Sequence, residues 1–148
     1  MKKSFKDPFM GVEDSLPVIA FNQEEQAVVI WVGRSHFLLS PMPSMKGSFG
    51  TAQWAVERNQ GWKLPSEEEV TLINDYLDEI NELLLANNYP SIDDEERWWI
   101  DEYHIAESLI DISWARCFPL GWRHTSKRKI DETCEFRLVK PMSPCVKV

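Results

Sequence analysis

The sequence predicts an α+β fold, and three stretches of the chain support that prediction. Ala27–Val32 (AVVIWV) is rich in Val, Ile and Trp, which favour a pleated and mostly buried strand. Between residues 67 and 86, apolar side chains recur at spacings of three and four, which is typical of an amphipathic helix. Residues 61–69 (GWKLPSEEE) carry the signals that end one helix and begin another. We therefore expect strands on both sides of a central helical segment.

The N-terminal third has the pattern of a β-meander. We expect strands at Leu16–Phe21, Ala27–Val32 and His36–Ser40, separated by polar or glycine-containing turns. Pro41–Gly50 is predicted to be a loop because of its proline, glycine and serine content.

Two helices are predicted after this loop. Thr51–Asn59 is about two turns long, so packing must stabilise it more than intrinsic propensity does. Glu67–Ala86 is predicted to be one continuous helix, with acidic residues in its first turn that complement the helix dipole. Its buried face is formed by Val70, Ile73, Leu77, Ile80 and Leu84.

The turn between the two helices has its own chemistry. Gly61 suits the position after a helix end, where a positive φ favours a residue without Cβ. Ser66 and Glu69 have the spacing of a capping box. Trp62 and Leu64 lie between the two helix ends, where they can fill a core. We expect this turn to determine the fold, without contacting a ligand, through Gly61, Trp62, Leu64, Pro65, Ser66 and Glu69.

The rest of the chain is predicted to be mostly β. Strands are expected at Arg97–Tyr103, Leu109–Phe118 and Glu135–Val139, with a basic turn-like segment over Gly121–Asp131. Two tryptophans of this part are expected to lie in the core and to help determine the fold: Trp98 and Trp114.

Length and charge limit the function. With 148 residues, the chain is predicted to be one domain over 1–148, with arms at 1–14 and 143–148. A net charge of −8 argues against a nucleic-acid partner, which requires clustered Lys and Arg. The short basic cluster Arg123–Lys129 is expected to be a solvated hairpin. We find no membrane span and no signal peptide, so we expect a cytoplasmic protein unless a leader was removed or another export route is used.

Known catalytic and cofactor motifs are missing from the sequence. Cys117, Cys134 and Cys145 show no CxxC spacing. This pattern is compatible with one disulfide and a remaining thiol, and equally with a protein of a reducing compartment. The acidic residues 93–96 are expected to form a solvated loop, with a cation site or a glycosidase-type carboxylate pair as alternatives. We predict no catalytic residues, no metal and no cofactor.

Four motifs, in order, resemble a family of bacterial domains. They are GWKLPS at Gly61–Ser66, RWWIDEY at Arg97–Tyr103, WARCF at Trp114–Phe118 and FRLVKP at Phe136–Pro141. The "major paralogous" domains, related to the C-terminal domain of the Legionella collagen-like protein, have a GWRLPT-type turn, a YWSSTEY-like segment, an AWxxxF strand and a VRPV ending. The resemblance covers about residues 15–142.

The resemblance implies a C-type-lectin-like fold, with two helices packed on small, twisted antiparallel sheets. It also implies a non-catalytic binding module whose ligand is a protein or a glycan. The EPN and WND triplets of calcium-dependent lectins are missing, so we expect no calcium-dependent sugar binding. By analogy with the family, the ligand-binding face comprises Asp101, Glu102, Tyr103, Trp122, Arg123, His124 and Lys127.

Two alternative functions remain open at the level of the sequence. One is an enzyme on the same fold that uses Cys117 or Cys134, in the manner of formylglycine-generating enzymes. Burial of both thiols would count against it, because a nucleophile must be accessible and needs a lowered pKa. The other is a structural or surface subunit that associates into a homo-oligomer.

Overall fold

A computed structural model describes residues 16–101, 114–121 and 125–142 of the chain, and for Trp114 and Lys127 it describes the backbone alone. The helices are α1 (Phe49–Arg58), α2 (Glu67–Asp75) and α3 (Leu77–Ala86). The strands are β1 (Val18–Asn22), β2 (Ala27–Val32), β3 (Ser35–Leu39), β4 (Met45–Gly47), β5 (Arg97–Trp99), β6 (Trp114–Pro119), β7 (Ser126–Lys129), β8 (Cys134–Phe136) and β9 (Val139–Pro141). The mixed α+β prediction is confirmed. The two predicted arms, 1–14 and 143–148, lie outside the described residues.

The described strands form two sheets. β1, β2, β3 and β9 make a four-stranded antiparallel sheet in that order. β4, β8, β5, β6 and β7 make a five-stranded sheet. The expectation of purely antiparallel sheets is wrong at one place, because β5 and β8 pair in parallel at Trp98 and Glu135.

The N-terminal meander agrees with the sequence prediction. β2 has the predicted bounds, and β1 and β3 differ from theirs by one or two residues. Ile30 on β2 pairs with Phe37 on β3, and both side chains are buried. The predicted loop over Pro41–Gly50 is wrong in part, since it contains β4 and the first two residues of α1. The helix begins early because the Ser48 side chain caps it by accepting a hydrogen bond from the Thr51 N–H.

The predicted single helix over Glu67–Ala86 is two helices, α2 and α3, separated at Tyr76. This residue has φ −111° and ψ 25°, yet its N–H still donates to the Leu72 carbonyl at 3.0 Å. Val70 and Ile73 of α2 are buried with Ile80 of α3 in one core. The spacing of apolar residues is therefore preserved across the break, which is why periodicity could not detect it.

The C-terminal strands are shorter than predicted. β5 ends at Trp99 because the chain turns away: the Asp101 N–H donates to the Pro65 carbonyl at 2.8 Å. The predicted basic turn instead contains β7, which pairs with β6. The predicted strand over Glu135–Val139 is β8 and β9, which belong to different sheets. Arg137 and Leu138 carry the chain from one sheet to the other.

The turn at residues 61–69 contacts both sheets. The Lys63 N–H donates to the Val139 carbonyl at 2.8 Å, and the Val139 N–H donates to the Lys63 carbonyl at 2.8 Å. The capping box is confirmed: Glu69 N–H donates to Ser66 Oγ at 3.1 Å, and Ser66 N–H donates to Glu69 Oε1 at 2.9 Å. This turn therefore joins α2 to the four-stranded sheet.

Gly61 has a positive φ, +89°, but it lies two residues beyond the helix cap Asn59. It takes the third position of a turn closed by a hydrogen bond from the Trp62 N–H to the Asn59 carbonyl at 2.9 Å. That position of a type II turn requires a positive φ. The preference for glycine was predicted correctly, and its exact place was not.

The buried apolar side chains of the described residues form two clusters. The first lies between the four-stranded sheet and helices α2 and α3, and includes Trp98. The second lies beneath α1 and includes Leu64 and Trp99. Trp98 and Leu64 are thus core residues as predicted, whereas Trp62 is only partly buried and packs at the margin of the second cluster. Trp114 was also predicted to lie in the core, and its side chain is outside the described atoms.

Within the described ranges, the helices are too short and too polar for any of them to cross a lipid bilayer.

Candidate functional site

An open cleft of about 510 Å³ lies where the loop after β3 meets the end of α1 and the crossing between the two sheets. We call it the Arg137 cleft. The Ser40 N–H donates to the Leu138 carbonyl at 3.0 Å and fixes one side of it. The residues that line it include Met42, Met45, Asn59, Trp62, Arg137 and Leu138.

Arg137 is the charged side chain at the bottom of this cleft, and it is only 2% exposed. Its Nε donates to Ser44 Oγ at 3.1 Å, and its Nη1 donates to the Ser40 carbonyl at 3.1 Å. The guanidinium carbon lies 5.9 Å from the centre of the Trp98 ring. The residue is buried because it occupies the short crossing between β8 and β9, where the chain passes between the sheets.

A polar network extends from Arg137 into the protein. The Ser44 hydroxyl donates to Glu96 Oε1 at 2.6 Å, and the Trp98 indole N–H donates to the same oxygen at 2.7 Å. One hydroxyl therefore links a buried cation to a carboxylate. Burial lowers the pKa of the Arg137 guanidinium to about 10, while the Glu96 carboxylate opposes that shift. Arg137 consequently carries its charge at neutral pH.

The guanidinium retains unused hydrogen-bonding capacity. Arginine has five N–H donors in a planar fork, and Arg137 uses two of them in the bonds to Ser44 and Ser40. Its Nη2 donates to none of the described residues. Above it, the cleft wall is formed by apolar side chains, of which Met42 is 57% exposed and Met45 is 41% exposed. The site can therefore bind an acceptor at its base and an apolar group at its rim.

The predicted ligand-binding face lies largely beyond the described part of the chain, which excludes Glu102, Tyr103, Trp122, Arg123 and His124. Two members are described in part. Asp101 is exposed and borders a second cleft of about 320 Å³ beside Lys63. Lys127 lies on β7, where its backbone pairs with Arg116.

Those two members flank the same strand. The Ile100 N–H donates to the Arg116 carbonyl at 3.3 Å, so the segment that leads to Asp101 lies beside β6. β7, which carries Lys127, lies on the other side of β6. Strand β6 thus separates the segment that leads to Asp101 from the strand that carries Lys127, and neither residue is part of the lining of the Arg137 cleft.

Cys117 and Cys134 are free thiols, and both are buried. They lie on β6 and β8, with β5 between them. Both side chains are unbridged thiols. The possibility of a disulfide between these two residues is therefore not realised.

The two thiols perturb each other's acidity in opposite directions. Interaction with the Cys134 thiol lowers the pKa of Cys117 to about 6, burial opposes this shift, and a contact of Cys117 Sγ with Ser126 Oγ at 3.4 Å adds to it. Interaction with the Cys117 thiol, together with burial, raises the pKa of Cys134. Neither thiol lies in an open cleft, where a cysteine nucleophile would have to meet its substrate. This burial counts against the cysteine-enzyme alternative.

Sequence reasoning did not identify Arg137, Ser44 or Glu96 as site residues. Arg137 stands within FRLVKP, where a charged residue interrupts an otherwise apolar run that is expected to be buried. That interruption is the one signal that could have found it, because Arg is almost never fully buried unless it is paired. Ser44 lies in a loop, and Glu96 was grouped with the solvated acidic loop.

Neither a comparison with protein-family models nor one with curated proteins gives a match for this chain. Across the described ranges, no three His, Cys, Asp or Glu side chains are grouped so as to hold a metal ion. The function must therefore be argued from the geometry of the clefts and from the chemistry of the residues that line them.

Proposed function

We propose that this chain is a non-catalytic recognition domain of C-type-lectin-like fold, whose ligand is a protein or a glycan, and that the Arg137 cleft is its binding site. The mixed architecture of the described residues, with three helices and two small sheets, is compatible with that fold. The described residues of the four sequence motifs contribute to the cleft lining, through Trp62 and Arg137, or to the core, through Trp98 and Phe118. Fold alone does not fix function, so the cleft carries the argument.

The observation that carries the proposal is the composition of the cleft. Two exposed methionines, Met42 and Met45, and a partly buried tryptophan, Trp62, surround a buried arginine. Met, Trp and Arg are enriched in protein interfaces, and Trp and Arg are frequent among the residues that dominate binding energy. Methionine also adapts its shape to different partners. A protein ligand is therefore favoured over a glycan.

Catalysis is disfavoured by how the polar groups of the cleft are used. The Ser44 hydroxyl accepts from Arg137 and donates to Glu96, so both of its functions are taken by the protein. This hydroxyl positions the arginine. The described thiols, which are the strongest nucleophiles among the described residues, lie in the core beneath α1 and away from the cleft lining.

The proposal is tested by a search for ligands with two variants. The purified chain is screened against a displayed peptide library and a glycan array, and each ligand is measured again with the double variant Met42→Ala/Met45→Ala. Leu85→Ala is the matched control, because Leu85 is a 61% exposed apolar residue on α3, outside the cleft lining.

We expect the double variant to weaken binding by about tenfold or more, since truncation of two contacting apolar side chains costs about 1–2 kcal/mol, and Leu85→Ala to leave it unchanged. No ligand from either screen would contradict the proposed function. A ligand that is sensitive to Asp101→Ala but not to the methionine variant would move the binding site to the face predicted from the sequence. Equal loss with Leu85→Ala would mean that binding is non-specific.

A further inference from the structure

We infer that the Arg137 cleft binds a carboxylate carried by a compact apolar group, such as the C-terminal residue of a peptide. This inference rests on the proposed function and specifies the chemistry of its ligand. It follows from three properties of the cleft: an incompletely paired buried cation, an apolar rim and a nearly balanced local charge.

The cation is held in place before any ligand arrives. Bonds from Nε to Ser44 and from Nη1 to the Ser40 carbonyl fix the plane of the guanidinium. The donors on Nη2 form no hydrogen bond with the described residues, although Arg137 is only 2% exposed. Nη2 is not among the fully buried polar atoms without a partner, so it keeps some contact with solvent, and a ligand oxygen at this point can accept a hydrogen bond from it. A planar carboxylate matches the guanidinium fork.

Glu96 does not take this position. Its Oε1 accepts from the Ser44 hydroxyl and from the Trp98 indole, on the protein side of the network. It does not line the cleft, and the Ser44 hydroxyl lies between it and Arg137. The carboxylate of Glu96 therefore compensates the charge of Arg137 from the protein interior and leaves the side of the guanidinium that faces the cleft for a ligand.

Local charge favours a monoanion over a phosphate. Arg137 is the one cationic side chain among the described residues of the cleft lining, and Glu96 already compensates part of its charge. A dianion would gain little from a single compensated cation. The net charge of −8 on the whole chain also opposes the approach of highly charged anions.

The rim selects for an apolar group beside the carboxylate. Met42, Met45, Trp62 and Leu138 present an apolar wall above the guanidinium. A volume of about 510 Å³ lies in the range of small-molecule sites and would hold an amino-acid residue more readily than a long chain. A hydrophobic residue with a free carboxylate combines both requirements.

The test uses the full chain and four probes, and binding of each is followed by heteronuclear NMR. N-acetyl-leucine carries a carboxylate next to an apolar side chain, N-acetyl-leucinamide is its neutral counterpart, and hexanoate lacks the peptide group. The buried Arg137 Nε–H should give a resolved signal that reports the cleft directly. Inorganic phosphate serves as the probe for a different anion.

We expect N-acetyl-leucine to shift the Arg137 signal saturably, and its amide to bind about tenfold more weakly or not at all. Hexanoate of similar affinity would indicate a free acid as ligand, whereas weaker hexanoate binding would indicate a peptide C-terminus. Because Arg137 variants can fail to fold, Met42→Ala/Met45→Ala is the test of the rim, with an expected loss of about fivefold, and Leu85→Ala is its control.

Equal binding of acid and amide would overturn the carboxylate inference and leave the recognition function intact. Stronger binding of phosphate than of N-acetyl-leucine would overturn it as well. A further outcome is that all probes leave the Arg137 signal unshifted while the library yields a ligand that is sensitive to the methionine variant. That result would overturn the carboxylate inference and support the Arg137 cleft as the binding site. Failure of both experiments would overturn the site together with the proposed function.

Discussion

Replacement of Gly61 is the sharpest test of how the turn at residues 61–69 holds the fold together. Gly61 has φ +89°, which L-amino acids rarely adopt. A Cβ at this position would meet only Lys140 Cε, at 3.7 Å, which is an ordinary contact with a flexible side chain. The expected loss is therefore backbone strain of about 1–3 kcal/mol for Ala or Val, with Val at the upper end.

Gly50→Ala provides a matched control within the same protein. Gly50 lies in the first turn of α1, and a Cβ there would approach nothing closer than Ser48 Oγ at 3.8 Å. Alanine in a helix should stabilise the protein by roughly 0.5–1 kcal/mol relative to glycine. The same chemical change is thus expected to have opposite signs at the two positions.

Urea unfolding followed by tryptophan fluorescence measures both effects on one scale. We expect a lower midpoint for Gly61→Ala, a still lower one for Gly61→Val, and a higher one for Gly50→Ala, with similar slopes. If Gly61→Ala were as stable as Gly50→Ala, the positive φ of this turn and its role in joining α2 to the sheet would be refuted. If Gly61→Val lost ligand affinity while fully folded, the turn would position Trp62 for binding as well as for stability.

Three further predictions concern other parts of the molecule. Ser66→Ala should lower the free energy of unfolding by about 1 kcal/mol, because it removes the cap of α2; an unchanged urea midpoint would contradict the capping box. Arg137→Met should lower the free energy of unfolding by about 3 kcal/mol, because Glu96 and its hydrogen-bonding partners then lack their cation. Arg137→Lys should lower it less. Equal stability of both variants and the parent protein in the same assay would show that the network is not stabilising. The lowered pKa of Cys117 favours the folded thiolate, so this group contributes stability above its unfolded pKa and loses it as the pH falls through about 6. The raised pKa of Cys134 works in the opposite sense, with stability lost as the pH rises above its unfolded value. Unfolding measured between pH 5 and 10 should therefore show a maximum that Cys117→Ala flattens on the acid side, and an identical profile for that variant would contradict the lowered pKa of Cys117.

The parts of the fold that depend on local chemistry were predictable from the sequence. β2 follows from its β-branched residues, the cap of α2 follows from Ser66 and Glu69, and the preference for glycine at position 61 follows from the backbone it must adopt. In each case the residues that cause the feature lie within a few positions of it. The buried faces of α2 and α3 follow from periodicity in the same way.

Features that depend on distant contacts could not be predicted. β5 ends because Pro65, far away in the chain, accepts a hydrogen bond from Asp101. Arg137 is buried because Ser40 and Ser44, nearly a hundred residues earlier, supply its acceptors. No local pattern encodes either pairing. The site predicted by analogy with the bacterial family remains a prediction, because most of its residues lie beyond the described ranges.

Trp62 shows how these two kinds of information combine. Its sequence position between two helix ends suggested a core residue, and its backbone indeed closes the turn after α1. Its side chain, however, reaches the Arg137 cleft and is partly exposed there. The turn therefore contributes both to the architecture and to the surface that we propose as the binding site.

A crystal structure of the chain with N-acetyl-leucine would test the central claim most directly. We predict that the carboxylate of the ligand lies within hydrogen-bonding distance of Arg137 Nη2 and that its side chain packs against Met42 and Trp62. An empty cleft at a ligand concentration that saturates the NMR shifts, or a ligand bound elsewhere on the surface, would contradict the assignment of the Arg137 cleft as the recognition site.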